Sequence, residues 1–238
     1  MDELAGLFGA SYWELLVADG GGSMPVDKSN VTDAREDISR FVVHLTSEGA
    51  GKPEGAARAN LISILTAGKI EARNLHCLHK KKLVALSDEK RKAFQVGCFT
   101  EIPLHQIHLL IQPVEGRSVI FKPYGIVFHK KFLVEKGAQP AIYINSYDGR
   151  FFHREAADAL FDWCESDNFE GTAARLLPLL NAMHEVYDFT WEREWRVVGD
   201  LAFRSNDIVC LIVPAVGDDK LKATCTNRLW QKWRANSG

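Results

Sequence analysis

Hydrophobic residues along the chain recur at two different periods, which predicts both strands and helices. Runs rich in β-branched and aromatic residues predict strands at 40–46, 94–100, 124–128, 140–144, 194–198 and 207–214, with a shorter one at 69–72. Apolar residues at helical spacing predict helices at 4–17, 60–67, 130–136 and 156–187, the last broken near 167–168, and a short helix after Pro103. Gly68 and Gly137 stand where two of these helices would end. The order lacks a regular βαβ alternation, so it indicates an α+β fold.

A glycine-rich stretch divides the chain near its beginning. Residues 19–23 read Asp-Gly-Gly-Gly-Ser, which is typical of a flexible connection. We therefore expect residues 1–30 to form a helical extension and linker, and residues 31–238 to form the main domain. Residues 74–92 are polar and basic, and they are the segment with the weakest pattern.

The overall composition is that of an ordinary soluble globular protein. Of the 238 residues, 46% are hydrophobic and 25% are charged, so the core needs neither disulfides nor a metal ion. A net charge of −2 gives no overall attraction to nucleic acid or to a membrane surface. The basic residues at 79–82 and 90–92 allow two interpretations: a solvated surface, which we favour, or a local contact for a polyanion.

The cysteine pattern and the absence of long apolar runs indicate the cellular compartment in which we expect the protein. Five cysteines are widely spaced and form no C-x-x-C pair, which favours the reducing cytoplasm. Cys98 and Cys210 lie in apolar runs, so we expect them in the core. No secretory signal is visible, and no apolar run approaches the ~20 residues of a membrane span. We therefore expect a cytoplasmic protein without a membrane partner.

Two glutamates, Glu192 and Glu194, stand two residues apart at the start of a predicted strand. Residues i and i+2 of a strand share a face, so these carboxylates would repel each other. A carboxylate at a strand end can act as a general base or stabilise positive charge that develops on a sugar carbon. The alternative is a cross-strand ion pair with Arg193, Arg196 or Arg204, worth about 0–1 kcal/mol at a surface.

Two further segments offer chemically useful side chains at strand ends. His44 and Thr46, separated by Leu45, share a strand face, and an imidazole beside a hydroxyl suits hydrogen bonding to a ribose. The simpler interpretation of His44 is a histidine satisfied at a strand end. Phe99 and Thr100 offer a stacking surface with a hydroxyl or, alternatively, a core aromatic followed by a helix N-cap.

Familiar catalytic and metal-binding motifs are absent from the sequence. It contains no G-x-S-x-G, H-E-x-x-H, P-loop or G-x-G-x-x-G motif. The pairs His76/His79 and His105/His108 have a spacing compatible with metal ligands, but no carboxylate or cysteine stands at a matching offset. We therefore expect no metal cofactor.

The order of these segments resembles the ADP-ribosyltransferase superfamily. The matching pieces are HLT on a strand, the helix NLISILTAGKI, the strand VGCFTE and the late strand EREWRV, spread over about residues 40–214. Within the superfamily, the chain is most similar to the DarT-type and AbiGi-like abortive-infection proteins of bacterial phage defence. The stretches YGIVFHKKFLVEKGAQPAIYI and EREWRVVG are the most specific parts of this resemblance.

The resemblance implies a fold and a co-substrate. The fold would be a split β-sandwich of two small sheets, flanked by helices, around a cleft that binds NAD⁺. His44 and Thr46 would bind the two riboses of NAD⁺, while the backbone of Leu45 would hold the nicotinamide amide.

The resemblance also implies roles for the other two motifs. Phe99 and Thr100 would form the second motif, and Tyr124 is an additional candidate for stacking on nicotinamide, unless it is a core tyrosine. Glu194 would be the catalytic residue and Glu192 the accessory one. Breaking the nicotinamide–ribose bond creates an oxocarbenium-like cation, which a carboxylate near the ribose would stabilise.

From this resemblance we expect an NAD⁺-dependent ADP-ribosyltransferase that acts as a toxin or effector in anti-phage defence. The favoured acceptor is nucleic acid, either RNA or DNA, and the alternative acceptor is protein. A cognate antitoxin or regulatory protein is an expected partner. Two other functions stay open: a non-catalytic ADP-ribosyltransferase-like binding protein, and an NAD⁺ hydrolase. The enzymatic hypothesis requires His44 and Glu194 to line one pocket.

Overall fold

The structure is a computed structural model that describes residues 35, 37–49, 53–115, 117, 119–147, 152–184 and 188–214. The predicted helix at 4–17, the glycine-rich linker and Cys225 lie outside these residues. The boundary between the predicted extension and the main domain therefore stays a prediction. Within the described ranges, no helix is both long enough and apolar enough to cross a membrane.

Ten strands and six α-helices make up the described part of the chain. The strands are β1 (Phe41–Gly49), β2 (Lys69–Ile70), β3 (Val96–Thr100), β4 (Val119–His129), β5 (Gln139–Pro140), β6 (Ile142–Asn145), β7 (Leu180–Met183), β8 (Glu194–Val198), β9 (Leu201–Ala202) and β10 (Ile208–Ile212). The helices are α1 (Ala56–Ala67), α2 (Lys80–Leu83), α3 (Asp88–Lys92), α4 (Ile107–Ile111), α5 (Lys130–Glu135) and α6 (Phe152–Ser166). Short 3₁₀ segments cover Leu104–Gln106, Thr172–Leu179, Thr190–Glu192 and Ser205–Asp207.

Six of these strands form one sheet in the order β10-β4-β1-β3-β8-β5, and every neighbouring pair is antiparallel. Strands β2 and β9 form a small antiparallel sheet, and β6 and β7 form a small parallel one. The fold is therefore mixed α and β, as the sequence pattern predicts.

The large sheet is nearly divided between β1 and β3. These two strands pair only at Val43 and Thr100, whereas β1 and β4 pair along most of their length. Farther along the same edge of β3, Val96 exchanges two backbone hydrogen bonds with Asn74, which takes the place of a strand. Cys98 lies between these two pairings. We call this opening, at Cys98 between β1 and β3, the split.

Opposite faces of the sheet enter separate hydrophobic cores. Val42 and Phe99 belong to a core that includes side chains of α1 and α5. Val43 and Leu45, on the other face, pack in a core that includes a side chain of α4. A third core lies under α6 and joins it to α2 and to the 3₁₀ segment before β7. The alternation of faces along β1 therefore follows the strand period of two.

Most of the predicted helices and strands are confirmed, and the residues at which they begin and end agree with the sequence signals. Strand β8 covers the predicted residues 194–198, and α1 ends where Gly68, with φ 64°, donates its N–H to the carbonyl of Ile64. The predicted strand at 140–144 is divided into β5 and β6. The expectation of a core position is wrong for Cys210, which is exposed.

The predicted helix over 156–187 is wrong in its second half. Helix α6 ends at Ser166, and the next turn contains Asn168 and Phe169 with positive φ angles. The chain then forms a 3₁₀ segment that contains Pro178, followed by strand β7. The apolar run LLPLL fits a buried strand as well as a helix, and its proline removes an amide donor that an α-helix needs.

Gly125 permits the close approach of β4 to β1 beside His44. A Cβ atom at position 125 would lie 2.7 Å from the backbone oxygen of His44 and 3.0 Å from a methyl carbon of Leu45. At Gly97, in β3, an added Cβ would meet only ordinary contacts at 3.7 Å. Gly125 is therefore required by the packing of the two strands, and Gly97 is not.

We expect Gly125→Ala to lower the free energy of unfolding by about 1–3 kcal/mol, because the backbone must move to admit the methyl group. The matched control is Gly97→Ala, which we expect to leave stability unchanged or slightly raised. Denaturant unfolding of both variants measures the difference. Equal stability of the two variants would contradict the close packing described for β4.

His79 is a fully buried histidine under α6. Its side chain is 0% exposed, its ring lies 4.8 Å from that of Phe161, and its Nε2 is 3.3 Å from Oδ1 of Asp158. Burial lowers the pKa of His79, with the charges of Arg154 and Lys82 acting in the same direction and Asp158 opposing them. The folded protein therefore favours the neutral imidazole.

Because the pKa of His79 is lower in the folded state, its contribution is fully present above the unfolded pKa and is lost as the pH falls. We expect the free energy of unfolding to decrease between about pH 7.5 and 5.5, by about 1.4 kcal/mol per unit of pKa difference. In His79→Gln the decrease should be smaller, as measured by denaturant unfolding at both pH values. His105→Gln, at an exposed position, is the control, and an identical pH dependence in His79→Gln would refute this role.

Candidate functional site

Glu194 is the first residue of β8, and its carboxylate is held by three side-chain donors. Arg196 donates from Nε to Oε1 at 3.0 Å and from Nη2 to Oε2 at 2.8 Å. Asn181, on β7, donates to Oε2 at 3.4 Å. The Glu194 side chain is 13% exposed. It is therefore a fixed, bidentate-bound carboxylate that still reaches solvent.

Arg196 is the reason for this fixed orientation. Its side chain is 0% exposed, and its Nη1 also donates to the carbonyls of Pro178 and Leu180 at 2.8 and 3.4 Å. The guanidinium charge is therefore buried beneath the sheet, and Glu194 is the carboxylate that neutralises it. Removing one partner of a buried ion pair leaves the other charge uncompensated, which is strongly destabilising.

Glu192 does not share a strand face with Glu194, contrary to the sequence expectation. Arg193, between them, has φ 48° in the left-handed region, so the strand starts only at Glu194 and Glu192 ends a 3₁₀ turn. Oε1 of Glu192 accepts a hydrogen bond from Arg117 at 3.2 Å. Burial raises the pKa of the Glu192 carboxyl, and the charge of Glu194 adds to that rise while Arg117 opposes it. Each glutamate thus has its own arginine.

His44 occupies the split from the β1 side. Its Nδ1 lies 2.9 Å from the carbonyl oxygen of Cys98, so Nδ1 carries the proton and donates. Burial lowers the pKa of His44, which favours the neutral imidazole. Among the described residues, none is hydrogen-bonded to Nε2, which in this tautomer is an acceptor. His44 therefore presents a neutral ring with an available acceptor nitrogen.

The strand register places His44 and Glu194 on opposite faces of the sheet. Val43 lies opposite Thr100, which lies opposite Glu194, so these three share a face. His44 is on the other face, where its ring lies 5.5 Å from that of Phe99. The two predicted site residues therefore do not share a face of the sheet, and the expectation that they line one pocket is not supported by the register.

Cys98 connects the two sides of the split. Its carbonyl accepts the His44 hydrogen bond, while its thiol has a raised pKa because of burial and the adjacent Glu194 charge. Val43 pairs with β3, so by strand alternation the backbone of Leu45 is also directed towards β3, where no strand pairs with it. The split is thus bordered by a histidine ring, a free backbone segment and the cysteine beside Glu194.

The remaining predicted ligand-binding side chains are engaged inside the protein. Thr46 is 5% exposed and its hydroxyl lies 2.7 Å from the carbonyl of Ala57 and 3.1 Å from that of Tyr124. The hydroxyl of Thr100 donates to the carbonyl of Glu192 at 2.6 Å. A hydroxyl has one proton, so neither threonine retains a donor for a ribose.

Two predicted aromatic platforms and the Leu45 side chain are in the cores. Phe99 is 3% exposed, so neither face of its ring is open to a stacking ligand. The side chain of Leu45 is 7% exposed. Tyr124 is half-buried and packs against the same core as Phe99. The prediction that Phe99 stacks on nicotinamide is therefore not supported by its position, and the core interpretation describes both aromatic residues.

Three polar residues at the site, Asn74, Tyr143 and Asn181, were not predicted from the sequence, and His76 was considered only as a metal ligand paired with His79. The amide of Asn74 donates to the thiol of Cys98 at 3.1 Å. The hydroxyl of Tyr143 donates to the carbonyl of Phe189 at 3.1 Å, and burial, with the charge of Glu194, raises the pKa of its phenol. Tyr143 lies in a strand that was predicted, Asn181 lies in β7 where a helix was predicted, and Asn74 lies in the polar segment with the weakest pattern.

No group of three histidine, cysteine, aspartate or glutamate side chains in the described part of the chain is arranged to hold a metal ion. A depression of about 340 Å³ between α5 and β9 is lined by residues that include Phe132, Lys136 and Arg204. None of the predicted site residues lines it.

No protein-family model matches the chain, and the chain has no significant similarity to a curated protein or to a solved structure. The relation to ADP-ribosyltransferases is therefore a resemblance of motifs, and the function has to be inferred from the residues around Glu194 and the split.

We expect Arg196→Met to lower the free energy of unfolding by about 3–5 kcal/mol, because Glu194 is then left without its buried counter-charge. In the double variant Glu194→Leu/Arg196→Met an apolar pair replaces the ion pair, and we expect stability within about 1 kcal/mol of the unmodified protein. Denaturant unfolding tests both. An Arg196→Met protein as stable as the unmodified protein would show that the ion pair does not hold this part of the fold.

Proposed function

We propose that the protein is an NAD⁺-dependent ADP-ribosyltransferase in which Glu194 is the catalytic carboxylate. The proposal is supported chiefly by the position of Glu194, a fixed and partly exposed carboxylate at the start of a strand beside an opening in the sheet. The motif order HLT, CFTE and EREWRV supplies the chemical class.

Glu194 retains the capacity to bind a sugar hydroxyl. A carboxylate has about four lone-pair positions; Arg196 and Asn181 donate to three of them, and the Cys98 thiol is a further hydrogen-bond partner. The ribose 2′-hydroxyl of NAD⁺ would bind Glu194 by displacing the thiol or the 3.4 Å contact of Asn181. As the bond to nicotinamide breaks, the carboxylate stabilises the positive charge that develops on the adjacent ribose carbon.

The proposed contacts to the dinucleotide lie at the split, where β1 and β3 pair only at Val43 and Thr100. On its β1 side, the acceptor nitrogen of His44 can receive a hydrogen bond from a ribose hydroxyl, and the backbone of Leu45 can hold the nicotinamide amide. Glu192 is the accessory carboxylate, oriented by Arg117 at the entrance to β8. This proposed arrangement of NAD⁺-binding residues around the split corresponds to the split β-sandwich that the resemblance implies.

Nucleic acid is the acceptor class that the charges near the site favour. The basic segment starts at Lys80, two residues after Leu78, whose N–H donates to the carbonyl of Leu180 next to Asn181, so it begins near the partners of Glu194. Lys80 and Lys81 are exposed, and their charges suit a phosphate backbone. Recognition would then be local and sensitive to salt, since the overall charge is −2.

The resemblance to DarT-type and AbiGi-like proteins suggests the biological setting. The activity would be that of a cytoplasmic toxin or effector in abortive infection, held in check by a cognate antitoxin or a regulatory protein. An NAD⁺ hydrolase is the same chemistry with water as the acceptor.

A second candidate function is favoured by one specific observation. Both oxygens of Glu194 are bonded to the buried Arg196, which is the arrangement expected if the carboxylate serves only to neutralise that charge. In that case the protein is a non-catalytic ADP-ribosyltransferase-like binding protein, such as an antitoxin or a phage-sensing partner.

The test is transfer of labelled ADP-ribose from NAD⁺ by the purified protein, with RNA, DNA and protein supplied in separate reactions. We expect labelling of a nucleic-acid pool and release of nicotinamide, and we expect Glu194→Gln to reduce both by about 100-fold or more. Free ADP-ribose without a labelled macromolecule would identify a hydrolase instead. Exposed Glu165→Gln is the matched control and should retain full activity.

Stability and chemistry must be separated, because Glu194→Gln also leaves Arg196 unpaired. The double variant Glu194→Leu/Arg196→Met serves this purpose: if it folds and is inactive, the carboxylate is needed for the reaction. Nicotinamide release by that folded double variant at the rate of the unmodified protein, or no NAD⁺ consumption by the unmodified protein, would overturn the enzymatic proposal.

A further inference from the structure

We propose that His76 accepts the proton of the attacking nucleophile during ADP-ribosyl transfer. This inference rests on the proposed function and assigns a residue outside the HLT, CFT and EREWR motifs. It makes His76 the general base that acts on the acceptor.

The segment around His76 is anchored at both ends to the partners of Glu194. On one side, Asn74 pairs with β3 through its backbone and donates its amide to the thiol of Cys98. On the other side, the N–H of Leu78 donates to the carbonyl of Leu180 at 2.8 Å, next to Asn181. His76 stands midway between these anchors. Its backbone N–H donates to the side-chain oxygen of Asn74 at 2.9 Å, which fixes the turn.

His76 is exposed, whereas the other polar groups of the site are at least partly covered. The charged groups that act on its imidazole are Lys80, Glu194 and Arg196. Partial burial lowers the pKa of His76, with Lys80 and Arg196 acting in the same direction and Glu194 opposing them. At neutral pH the imidazole is therefore unprotonated and able to accept a proton.

Glu192 is less suited to this role than His76. Its carboxylate accepts from Arg117, whose own side chain is 7% exposed, and its backbone carbonyl is bonded to Thr100. These contacts fix Glu192 as part of the turn before β8. His76 has an exposed ring with two nitrogens, one of which carries a lone pair in the neutral form.

The step balances with NAD⁺ and an acceptor that bears a protonated oxygen or nitrogen nucleophile. The acceptor atom forms a bond to C1′ of the nicotinamide ribose, and its proton moves to a ring nitrogen of His76. The C1′–nitrogen bond breaks, and its electron pair neutralises the pyridinium of the leaving nicotinamide. His76 then releases the proton to solvent.

The experiment compares His76→Gln with His105→Gln, an exposed histidine outside the site. Glutamine can still form hydrogen bonds but cannot take a proton. With labelled NAD⁺ and the RNA and DNA pools as acceptors, we expect His76→Gln to reduce label transfer by about 100-fold and to lose the acid limb of the rate profile below about pH 6.5. In His76→Ala, added imidazole should restore part of the transfer.

The results distinguish this assignment from the proposed function. An unmodified protein that releases no nicotinamide overturns both. If the unmodified protein is active, transfer by His76→Gln within twofold of that rate overturns the assignment alone. So does a reduced rate that keeps the acid limb and is not rescued by imidazole in His76→Ala, because that pattern belongs to a structural role. Circular dichroism and thermal unfolding establish that each variant is folded.

Discussion

The arrangement around the site depends on one buried charge, the guanidinium of Arg196. A charge with 0% exposure must be neutralised within the protein, and Glu194 does this with two parallel hydrogen bonds. The same guanidinium donates to the carbonyls of Pro178 and Leu180, which ties the six-stranded sheet to the small β6–β7 sheet. That tie brings Asn181 to the carboxylate. The orientation of the proposed catalytic group is therefore a consequence of how the two sheets are joined.

The split between β1 and β3 is the second feature on which the proposed function depends. Because the strands pair only once, the carbonyl of Cys98 receives its hydrogen bond from the His44 ring. This contact fixes the tautomer of His44, while the thiol of the same cysteine lies beside Glu194. His44 and Glu194 are on opposite faces of the sheet, so Glu194 and not the pair of residues carries the proposed function.

The sequence predicts the elements of the sheet better than the contacts of the site. Strand β8 and the end of α1 at Gly68 follow from local pattern and from glycine in the left-handed conformation. The left-handed Arg193 could not be predicted, since it depends on contacts made far along the chain, and it removes Glu192 from the face of Glu194. Asn181 was missed because its strand lies in an apolar run that also fits a helix. The hydrophobic pattern within one segment does not indicate which distant segment it will pack or pair with.

A structure of the protein with an unreactive NAD⁺ analogue tests the central claim most directly. The account predicts that the analogue binds beside the split, with a ribose hydroxyl within hydrogen-bond distance of a Glu194 oxygen. An analogue bound away from the split, or one that binds without any contact to Glu194, would contradict it.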